Sequence, residues 1–245
     1  MIRKEVQRIK FSPSISWLKI VTDQKPVVIE NLASNWPAIS DPDRKWSDIP
    51  KLMERIDINR KVSIEVGKNY MDPHIKKVDV FLRDYLEFIS KPKEALKDVP
   101  NVYLAQYELH EIPEMDKDVI CPGITQVGKG HLYRTNIWFG SPLGTISPCH
   151  FDPFNNMVVQ VIGKKKIDII HPHFTPNVYP AYGTLQRNTS MVDFEKPDLE
   201  EFPLFSQAEG IEAELNPGDG LFIPFKWWHY CKTTSLSCSV NFWWL

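Results

Sequence analysis

Long apolar runs are absent from this chain of 245 residues, and no stretch is apolar enough to cross a bilayer. The first residues, Met-Ile-Arg-Lys-Glu, do not open a secretory signal. Neither sign of charge dominates, because 29 basic residues accompany 31 acidic ones and the net charge is −2. We therefore expect a protein of the nucleus or cytoplasm that is not secreted and binds neither membranes nor, directly, nucleic acid.

Cysteine and glycine are also scarce. The four cysteines, Cys121, Cys149, Cys231 and Cys238, lack the paired spacing of a zinc site, and a reducing compartment would keep them as thiols. The 11 glycines are too scattered for a phosphate-binding loop, and no Ser-His-Asp or Cys-His set stands out. The sequence thus gives no support to zinc-finger, nucleotide-binding or triad-hydrolase functions.

What the chain does contain is a pattern of metal ligands at 145–156. His150 and Asp152 lie two residues apart, so on a strand both side chains leave the same face and can bind one ion. His229, far downstream, can supply a third donor. Two imidazoles and one carboxylate form the facial triad of non-heme Fe(II) oxygenases. A His-x-Asp pattern by itself also arises by chance, so the surrounding sequence has to decide.

The run 156–171 consists of two β-branched segments separated at Gly163-Lys164, which predicts a β-hairpin. Alternation along the second strand lets either Lys165 alone or its neighbours Lys164 and Lys166 face inward. A lysine beside an iron pocket suits the distal carboxylate of 2-oxoglutarate. The alternative is a solvated lysine cluster at the hairpin tip, which is the usual place of charge runs.

The chain as a whole predicts a mainly β protein. From residue 103 onward, short β-rich runs are separated by prolines and glycines, which is typical of a jelly roll or cupin barrel. We expect a double-stranded β-helix with N-terminal α/β elements packed around it. A single catalytic domain would cover 1–245, with a mixed α/β part at 1–100 and the jelly-roll core at 101–245.

Local patterns within this outline predict individual elements. In the first hundred residues, 27–30 and 62–66 read as strands, whereas 46–56 and 80–89 carry apolar residues at helical spacing. The last run, 237–245, reads as a strand that places Trp243 and Trp244 on opposite faces. Only one of these two indoles can therefore face the barrel interior.

Several segments in order resemble the JmjC-domain oxygenases, and the resemblance covers nearly the whole chain. The segments that carry it are 26–29, 35–38, 102–106, 136–140, 144–153, 159–165, 188–190, 197–200, 217–219, 222–224, 228–230 and 242–244. The resemblance implies an enzyme that depends on Fe(II), consumes 2-oxoglutarate as a cosubstrate and uses O₂. It is far more specific than the triad alone.

The same resemblance implies roles for individual residues. It makes His150, Asp152 and His229 the iron ligands and Lys165 the partner of the distal carboxylate. The other implied cosubstrate-binding residues are Tyr103, Trp138, Ser147, Asn156 and Trp243. Each has a plainer alternative, because an aromatic in an apolar strand is most often core and an asparagine after a proline is often a turn residue. Their joint occurrence at family spacing favours the functional interpretation.

The resemblance is less informative about the substrate. Members of the family are described as arginyl hydroxylases and as histone lysine demethylases, and we expect hydroxylation of a protein arginine, with N-methyl-lysine demethylation as the alternative. The candidate substrate-binding residues are Glu65, Tyr70, Gln106 and Asn136. The partner would be a protein or peptide, histone or ribosomal, bound by a monomer. Two other classes stay open: a non-catalytic cupin-like scaffold that binds a metal and a peptide, and a zinc or manganese hydrolase or isomerase.

Overall fold

The structure, a computed structural model, describes residues 1–184 and 186–245. Its strands are β1 Ile2–Glu5, β2 Gln7–Lys10, β3 Val27–Glu30, β4 Lys61–Val66, β5 Lys76–Phe81, β6 Val102–Glu108, β7 Leu132–Gly140, β8 Ile146–Phe151, β9 Asn155–Ile162, β10 Lys165–Ile170, β11 Glu209–Leu215, β12 Gly220–Ile223, β13 Trp228–Lys232 and β14 Ser237–Trp244.

The helices are short and lie mostly in the first half. They are α1 Trp17–Asp23, α2 Pro37–Ser40, α3 Ile49–Arg55, α4 Leu82–Ile89, α5 Lys93–Leu96 and α6 Pro113–Asp116. Single 3₁₀ segments occupy Leu109–Glu111, Gly123–Gln126, Pro172–Val178 and Pro203–Gln207. Among the residues described, no helix has the length and apolar character needed to span a bilayer.

The strands form two sheets. One has the order β1-β11-β10-β13-β8, and the other has the order β2-β3-β12-β9-β14-β7-β6-β4-β5. Strands from both sides of residue 100 lie in each sheet, since β1 pairs with β11 and β3 pairs with β12. This mainly β architecture of large mixed sheets confirms the jelly-roll class predicted from the sequence.

The two sheets bury an apolar layer between them. Val158 and Leu221 of the larger sheet and Ile167 and Ile169 of the smaller one belong to the same buried cluster. A second and larger cluster lies on the outer face of the nine-stranded sheet, where α3 and α4 cover it with side chains such as Leu52. The residues of the predicted site lie in the layer between the two sheets, because the inner faces of both sheets face each other there.

Most of the predicted local elements are confirmed with shifted ends. The strand at 27–30 is present as predicted, and the one at 62–66 starts one residue earlier. The helix predicted over 46–56 begins only at Ile49, because Asp48 caps it by accepting from Lys51 N at 3.3 Å. Similarly, the helix predicted over 80–89 begins at Leu82, since the two residues before it belong to β5.

The predicted hairpin at Gly163-Lys164 is wrong. β9 lies between β12 and β14 in the larger sheet, whereas β10 lies between β11 and β13 in the smaller one. The turn therefore carries the chain from one sheet to the other. A tight turn between two β-branched runs is compatible with both geometries, and the choice depends on partner strands that are remote in sequence.

Gly163 is needed for this crossing on two grounds. Its φ is +68°, and a Cβ built on it would lie 2.2 Å from the carbonyl oxygen of Leu236. Gly183 also has a positive φ, +84°, but its Cβ would meet no atom within 4 Å among the described residues. Comparing substitutions at Gly163 and Gly183 therefore separates the free-energy cost of a positive φ from that of a steric clash.

We expect Gly163→Ala to lower the free energy of unfolding by roughly 3 kcal/mol or more, because strain and overlap add. Gly183→Ala should cost only about 1 kcal/mol, since it meets the conformational penalty alone. Urea unfolding followed by circular dichroism measures both values. Equal losses in the two variants would contradict the crowding at the crossing.

Candidate metal centre and adjoining cavity

Two neighbouring strands of the smaller sheet bring the metal-ligand candidates together. His150 on β8 lies opposite His229 on β13 in the antiparallel register, and Asp152 follows directly after β8. Ligand atoms of these three residues all lie within 4.8 Å of one another. Asp152 is 3.5 Å from His229 Nε2 through Oδ2 and 3.9 Å from His150 Nε2 through Oδ1. The three residues can therefore hold one metal ion.

Backbone carbonyls orient both imidazoles. His150 Nδ1 lies 2.7 Å from the carbonyl oxygen of Pro148, and His229 Nδ1 lies 3.1 Å from that of Trp227. Because a carbonyl oxygen only accepts, each Nδ1 carries the proton and each Nε2 presents a lone pair. Burial, and then the charge of His150, lower the pKa of His229 to about 4. The His229 ring is neutral near pH 7, which is the form that binds metals.

Two donors from the larger sheet hold the Asp152 carboxylate. Asn156 Nδ2 and Trp243 Nε1 each donate to Oδ2 at 3.2 Å. The other oxygen, Oδ1, stays available on the side of His150. Two imidazoles and one anchored carboxylate match the donor set that non-heme Fe(II) prefers. The residues present thus fit the metal that the sequence predicts.

A chain of amide hydrogen bonds extends from this carboxylate into the larger sheet. Asn241 Nδ2 donates to Asn156 Oδ1 at 2.9 Å, and Asn241 Oδ1 accepts from Trp138 Nε1 at 2.7 Å and Asn136 Nδ2 at 3.2 Å. The sequence analysis missed Asn241, although a signal was present. Along 237–243 every second residue of the last strand is polar or Trp243, and the residues between them are apolar.

The last strand separates its two tryptophans as predicted. Trp243 turns toward Asp152, whereas Trp244 Nε1 donates to the carbonyl oxygen of Val127 at 3.1 Å on the opposite face. Ser239, on the same face as Trp243, accepts a hydrogen bond from Lys165 Nζ. Ser239 is the second residue of this face that the sequence analysis missed.

Lys165 is the inward-facing lysine of its cluster. It is only 5% exposed, while Lys164 and Lys166 are exposed and lie near Glu214 at 3.0 and 3.9 Å. Burial lowers the pKa of Lys165, and the nearby thiols of Cys231 and Cys238 oppose that shift. A buried cation whose polar neighbours are a serine and two thiols lacks a counter-anion among the described residues.

Tyr103 and Ser147 face each other close to this lysine. Burial raises the pKa of Tyr103 above the usual range, and the nearby Ser147 and Thr145 hydroxyls oppose that shift, so the phenol stays protonated. The rings of Tyr103 and Trp138 lie 6.0 Å apart. All six residues predicted to bind the cosubstrate, namely Tyr103, Trp138, Ser147, Asn156, Lys165 and Trp243, are thus grouped around the metal-ligand candidates.

The site consists of an inner space and an outer cavity. The inner space, about 30 Å³, ends at Lys165 and Ser239, and the outer cavity of about 670 Å³ opens toward solvent. Both are lined by Trp138, Ser147, His150 and Asp152. The inner space has room for one water-sized group, so a diacid that reached Lys165 would extend into the outer cavity and draw Nζ away from Ser239.

Three of the four predicted substrate-binding residues line the outer cavity. Tyr70 packs edge-on against the His150 ring, with centroids 6.2 Å apart, and its hydroxyl donates to the carbonyl oxygen of Pro148 at 3.3 Å. Gln106 has a positive φ of +49° at an irregularity in β6. Burial raises the pKa of Glu65, and Lys77 opposes that shift. Arg134, which the sequence analysis missed, joins them in the lining.

The structure places Asn136 elsewhere. It is fully buried, does not line the outer cavity and donates to Asn241. Its Oδ1 has no hydrogen-bond partner within the part of the chain that the structure describes. Its position on β7 directs its side chain toward Asn241 in the amide chain behind the metal-ligand candidates. This placement does not support the predicted contact with a substrate.

A comparison with protein families shows to which family the chain belongs. The family described as "Cupin-like domain" matches residues 13–245. The chain belongs to that family. Within it, the JmjC resemblance is confirmed by relatives such as "Jumonji C domain-containing protein 5" of Drosophila melanogaster, which is 35% identical over 226 residues. That match covers 90% of this cupin-like chain and 54% of the relative.

Two further relatives carry enzyme names. "Lysine-specific demethylase 8" of Xenopus tropicalis is 40% identical over 226 residues, which are 90% of this chain and 48% of the relative. "Lysine-specific demethylase JMJ30" of Arabidopsis thaliana is 38% identical over 220 residues, which are 89% of this chain and 49% of the relative. The chain therefore spans about half the length of the curated relatives it matches.

The indole of Trp243 provides a test of the anchored carboxylate. We expect Trp243→Phe to weaken binding of Fe(II), or of Co(II) used in its place, by about 10-fold or more, because outer hydrogen bonds orient a metal-binding carboxylate. Trp244→Phe is the matched control, since it loses an indole hydrogen bond on the opposite face. Anaerobic calorimetric titration measures both affinities. An unchanged affinity in Trp243→Phe would remove this indole from the metal site.

Proposed function

We propose that this cupin-like JmjC domain is an Fe(II)- and 2-oxoglutarate-dependent oxygenase that removes methyl groups from lysine in a protein substrate. The observation that carries the proposal is the convergence of His150, Asp152 and His229, with both Nε2 atoms directed at one carboxylate. Bound Fe(II) and 2-oxoglutarate would supply the chemistry, in which decarboxylation of the diacid accompanies oxidation of a C–H bond by O₂. The remaining residues bind, orient and shield.

The three ligand candidates would leave one side of the ion free for small molecules. His150 and His229 come from paired strands and Asp152 from the turn after β8, so all three approach from the smaller sheet. The outer cavity, lined by His150 and Asp152, lies on the open side. A diacid and O₂ can reach the ion there, while Asn156 and Trp243 hold the carboxylate in place.

Lys165 is the proposed partner of the distal carboxylate of 2-oxoglutarate. It is a buried cation at the end of the inner space, and Ser239 accepts from its Nζ. A carboxylate placed there would form a charge-assisted hydrogen bond and would supply the counter-anion that Lys165 lacks among the described residues. The Ser147 hydroxyl lines the inner space as well, and the Tyr103 phenol lines the adjoining outer cavity, so both would donate to a diacid that extends between the two.

Aromatic side chains would keep water from the reacting atoms. Trp243 stacks on Phe154 with centroids 5.7 Å apart, and Phe154 stacks on Tyr133 at 4.4 Å. Trp138 lines both the inner space and the outer cavity. Trp138 and Trp243 thus place aromatic surface beside the metal-ligand candidates, which would limit side reactions during turnover.

The names of the relatives favour N-methyl-lysine over arginine as the target. Two of them are named lysine-specific demethylases. Hydroxylation of an N-methyl carbon gives a carbinolamine, which releases formaldehyde and leaves the amine with one methyl group fewer. A lysine side chain is long enough to pass through the outer cavity, where Tyr70, Tyr103 and Trp138 present rings to a methylated ammonium.

Arginine hydroxylation is the second candidate, and the polar part of the outer cavity favours it. Glu65 supplies a carboxylate and Gln106 a carboxamide, and a guanidinium can donate to both. The relatives support demethylation better than this first expectation from the sequence. The same iron chemistry would serve both targets, so only the product distinguishes them.

A scaffold without turnover, or a zinc or manganese enzyme, would use fewer of these features. Neither needs a buried lysine at the end of the metal pocket, and a buried cation without a counter-anion is costly to maintain. Lys165 therefore supports an anionic cosubstrate. A protein or peptide substrate, a monomeric state and a nuclear or cytoplasmic location stay predictions.

Product mass provides the direct test of the target. Two synthetic peptides that differ only in a central dimethyl-lysine or arginine are incubated with the protein, Fe(II), 2-oxoglutarate and O₂. We expect the dimethyl-lysine peptide to lose the mass of one methylene with release of formaldehyde. An added oxygen on the arginine peptide would instead favour hydroxylation. No mass change and no succinate would overturn the oxygenase proposal, and His150→Ala serves as the inactive control.

Lys165→Ala tests the cosubstrate site. We expect the concentration of 2-oxoglutarate needed for half-maximal succinate formation to rise about 10-fold or more, since the distal carboxylate would lose a charge-assisted partner. Lys166→Ala is the matched control, because Lys166 is exposed on the opposite face of the same strand. If both variants kept the original requirement, Lys165 would not bind the diacid.

A further inference from the structure

A second cavity, of about 560 Å³, lies beside the outer cavity of the metal site. Its lining includes Thr175, Tyr182, Arg187, Asn188, Lys226 and Trp228. Asn188 also lines the outer cavity, so the two spaces adjoin at this residue. Neither the metal nor the cosubstrate needs this second cavity, which we call the flanking cavity.

The flanking cavity carries positive charge only. Among the residues that the structure describes, Arg187 and Lys226 are its charged lining residues, and no carboxylate contributes to the lining. Within 1–184 and 186–245, neither side chain takes part in an ion pair, whereas Arg134 of the neighbouring cavity pairs with Glu108 at 2.9 Å. Lys226 Nζ lies instead 5.1 Å from the centre of the Phe225 ring. Two exposed cations are therefore available to an external anion.

The wall between the two cavities is held firmly. Asn188 exchanges two hydrogen bonds with Phe151, from Phe151 N to the Asn188 carbonyl at 3.0 Å and from Asn188 Nδ2 to the Phe151 carbonyl at 2.9 Å. Ser190 N donates to the carbonyl of Cys149 at 2.7 Å. The segment with Arg187 thus leads directly into one that pairs with β8, the strand that carries His150.

Lys226 is held on the other side of the cavity by an unusual backbone. Its φ is +62°, a conformation that residues other than glycine seldom adopt. Its N–H donates to the carbonyl oxygen of Asp152 at 3.1 Å, so its position is tied to the turn that carries a metal-ligand candidate. Strain of this kind persists where the surrounding structure demands it, and such positions are common at binding sites.

We propose that the flanking cavity binds an acidic side chain of the substrate, near in sequence to the residue that is oxidised. This inference rests on the proposed function, since a peptide whose target side chain enters the outer cavity passes Asn188 with its neighbouring residues. Arg187 and Lys226 would donate to the carboxylate. The phenol of Tyr182, a residue that is 73% exposed, stands at the same rim.

Two cations suit one carboxylate better than a nucleic-acid backbone. Binding to a nucleic acid uses several phosphate contacts along a basic surface, and this chain has a net charge of −2. The lining also includes Pro153, Pro172 and Trp228, which suit the aliphatic part of an acidic side chain. The site therefore fits a peptide with a target residue and a carboxylate a few residues away.

A set of labelled peptides tests the inference. Each has a dimethyl-lysine in a neutral glycine and serine background, and one glutamate is placed at each neighbouring position in turn. Fluorescence anisotropy measures binding, which does not require turnover. We expect glutamate at one position, or at two adjacent ones, to tighten binding by about threefold to tenfold, and Arg187→Glu to abolish that gain. In Arg187→Glu, lysine at the same position should bind better than glutamate.

Lys97→Glu is the matched control, because Lys97 is exposed and lies outside the flanking cavity. It carries the same change of charge sign and should keep the preference for glutamate, which separates a local contact from the net charge. Circular dichroism confirms that both variants are folded. The same gain at every glutamate position, or an equal loss in both variants, would overturn the flanking site.

The experiments distinguish failure of the flanking site from failure of the proposed function. If a peptide is oxidised but no glutamate position changes its affinity, the flanking site is wrong and the oxygenase proposal stands. If a glutamate position matters in a manner that depends on Arg187 while no peptide is oxidised, the flanking site stands as a peptide contact and the oxygenase proposal fails. A single-stranded oligonucleotide that competes with the peptides would contradict the assignment to an acidic side chain.

Discussion

The carboxylate of Asp152 is held between the two sheets, and this contact positions the candidate metal site. Asp152 follows a strand of the smaller sheet, yet its Oδ2 accepts from Asn156 and Trp243, which belong to the larger one. These bonds cross the apolar layer at its open end, so the distance between the sheets sets the position of the carboxylate relative to His150 and His229. The geometry of the metal centre is therefore a property of the packing of both sheets rather than of one loop.

The two sheets contribute different chemistry to the site. The smaller sheet supplies both imidazoles and the buried lysine, which are groups that bind or carry charge. The larger sheet supplies amides, hydroxyls and indoles through its last strand, where Ser239, Asn241 and Trp243 share one face. The metal would therefore be held by donors associated with the smaller sheet, whereas both sheets would contribute to the cosubstrate site through Lys165 and Tyr103. This arrangement suits a reaction that needs fixed donors and little water.

The two-residue repeat of a strand was informative about which face of the strand a side chain occupies. It separated Trp243 from Trp244, and it limited the inward-facing lysines to Lys165 alone or to Lys164 with Lys166, of which the structure shows Lys165 turned inward. It did not reveal partners: the turn at Gly163 joins two sheets instead of one hairpin, and Asn136 lies in a buried amide chain instead of the substrate cavity. Alternation specifies which side of a strand a residue occupies, whereas the strand beside it depends on contacts remote in sequence.

The amino-acid sequence specified the kinds of donors and showed which neighbours, such as Trp243 and Trp244, must occupy opposite faces of a strand. Residue type sets which atoms can bind a metal or a carboxylate, and the two-residue repeat of a strand sets their side. The sequence did not reveal that His229 lies opposite His150, that Asn241 extends the hydrogen bonds of Asp152, or that Asn188 lies between two cavities, all of which follow from folding. Those contacts join segments far apart along the chain, and the packing of the two sheets selects them.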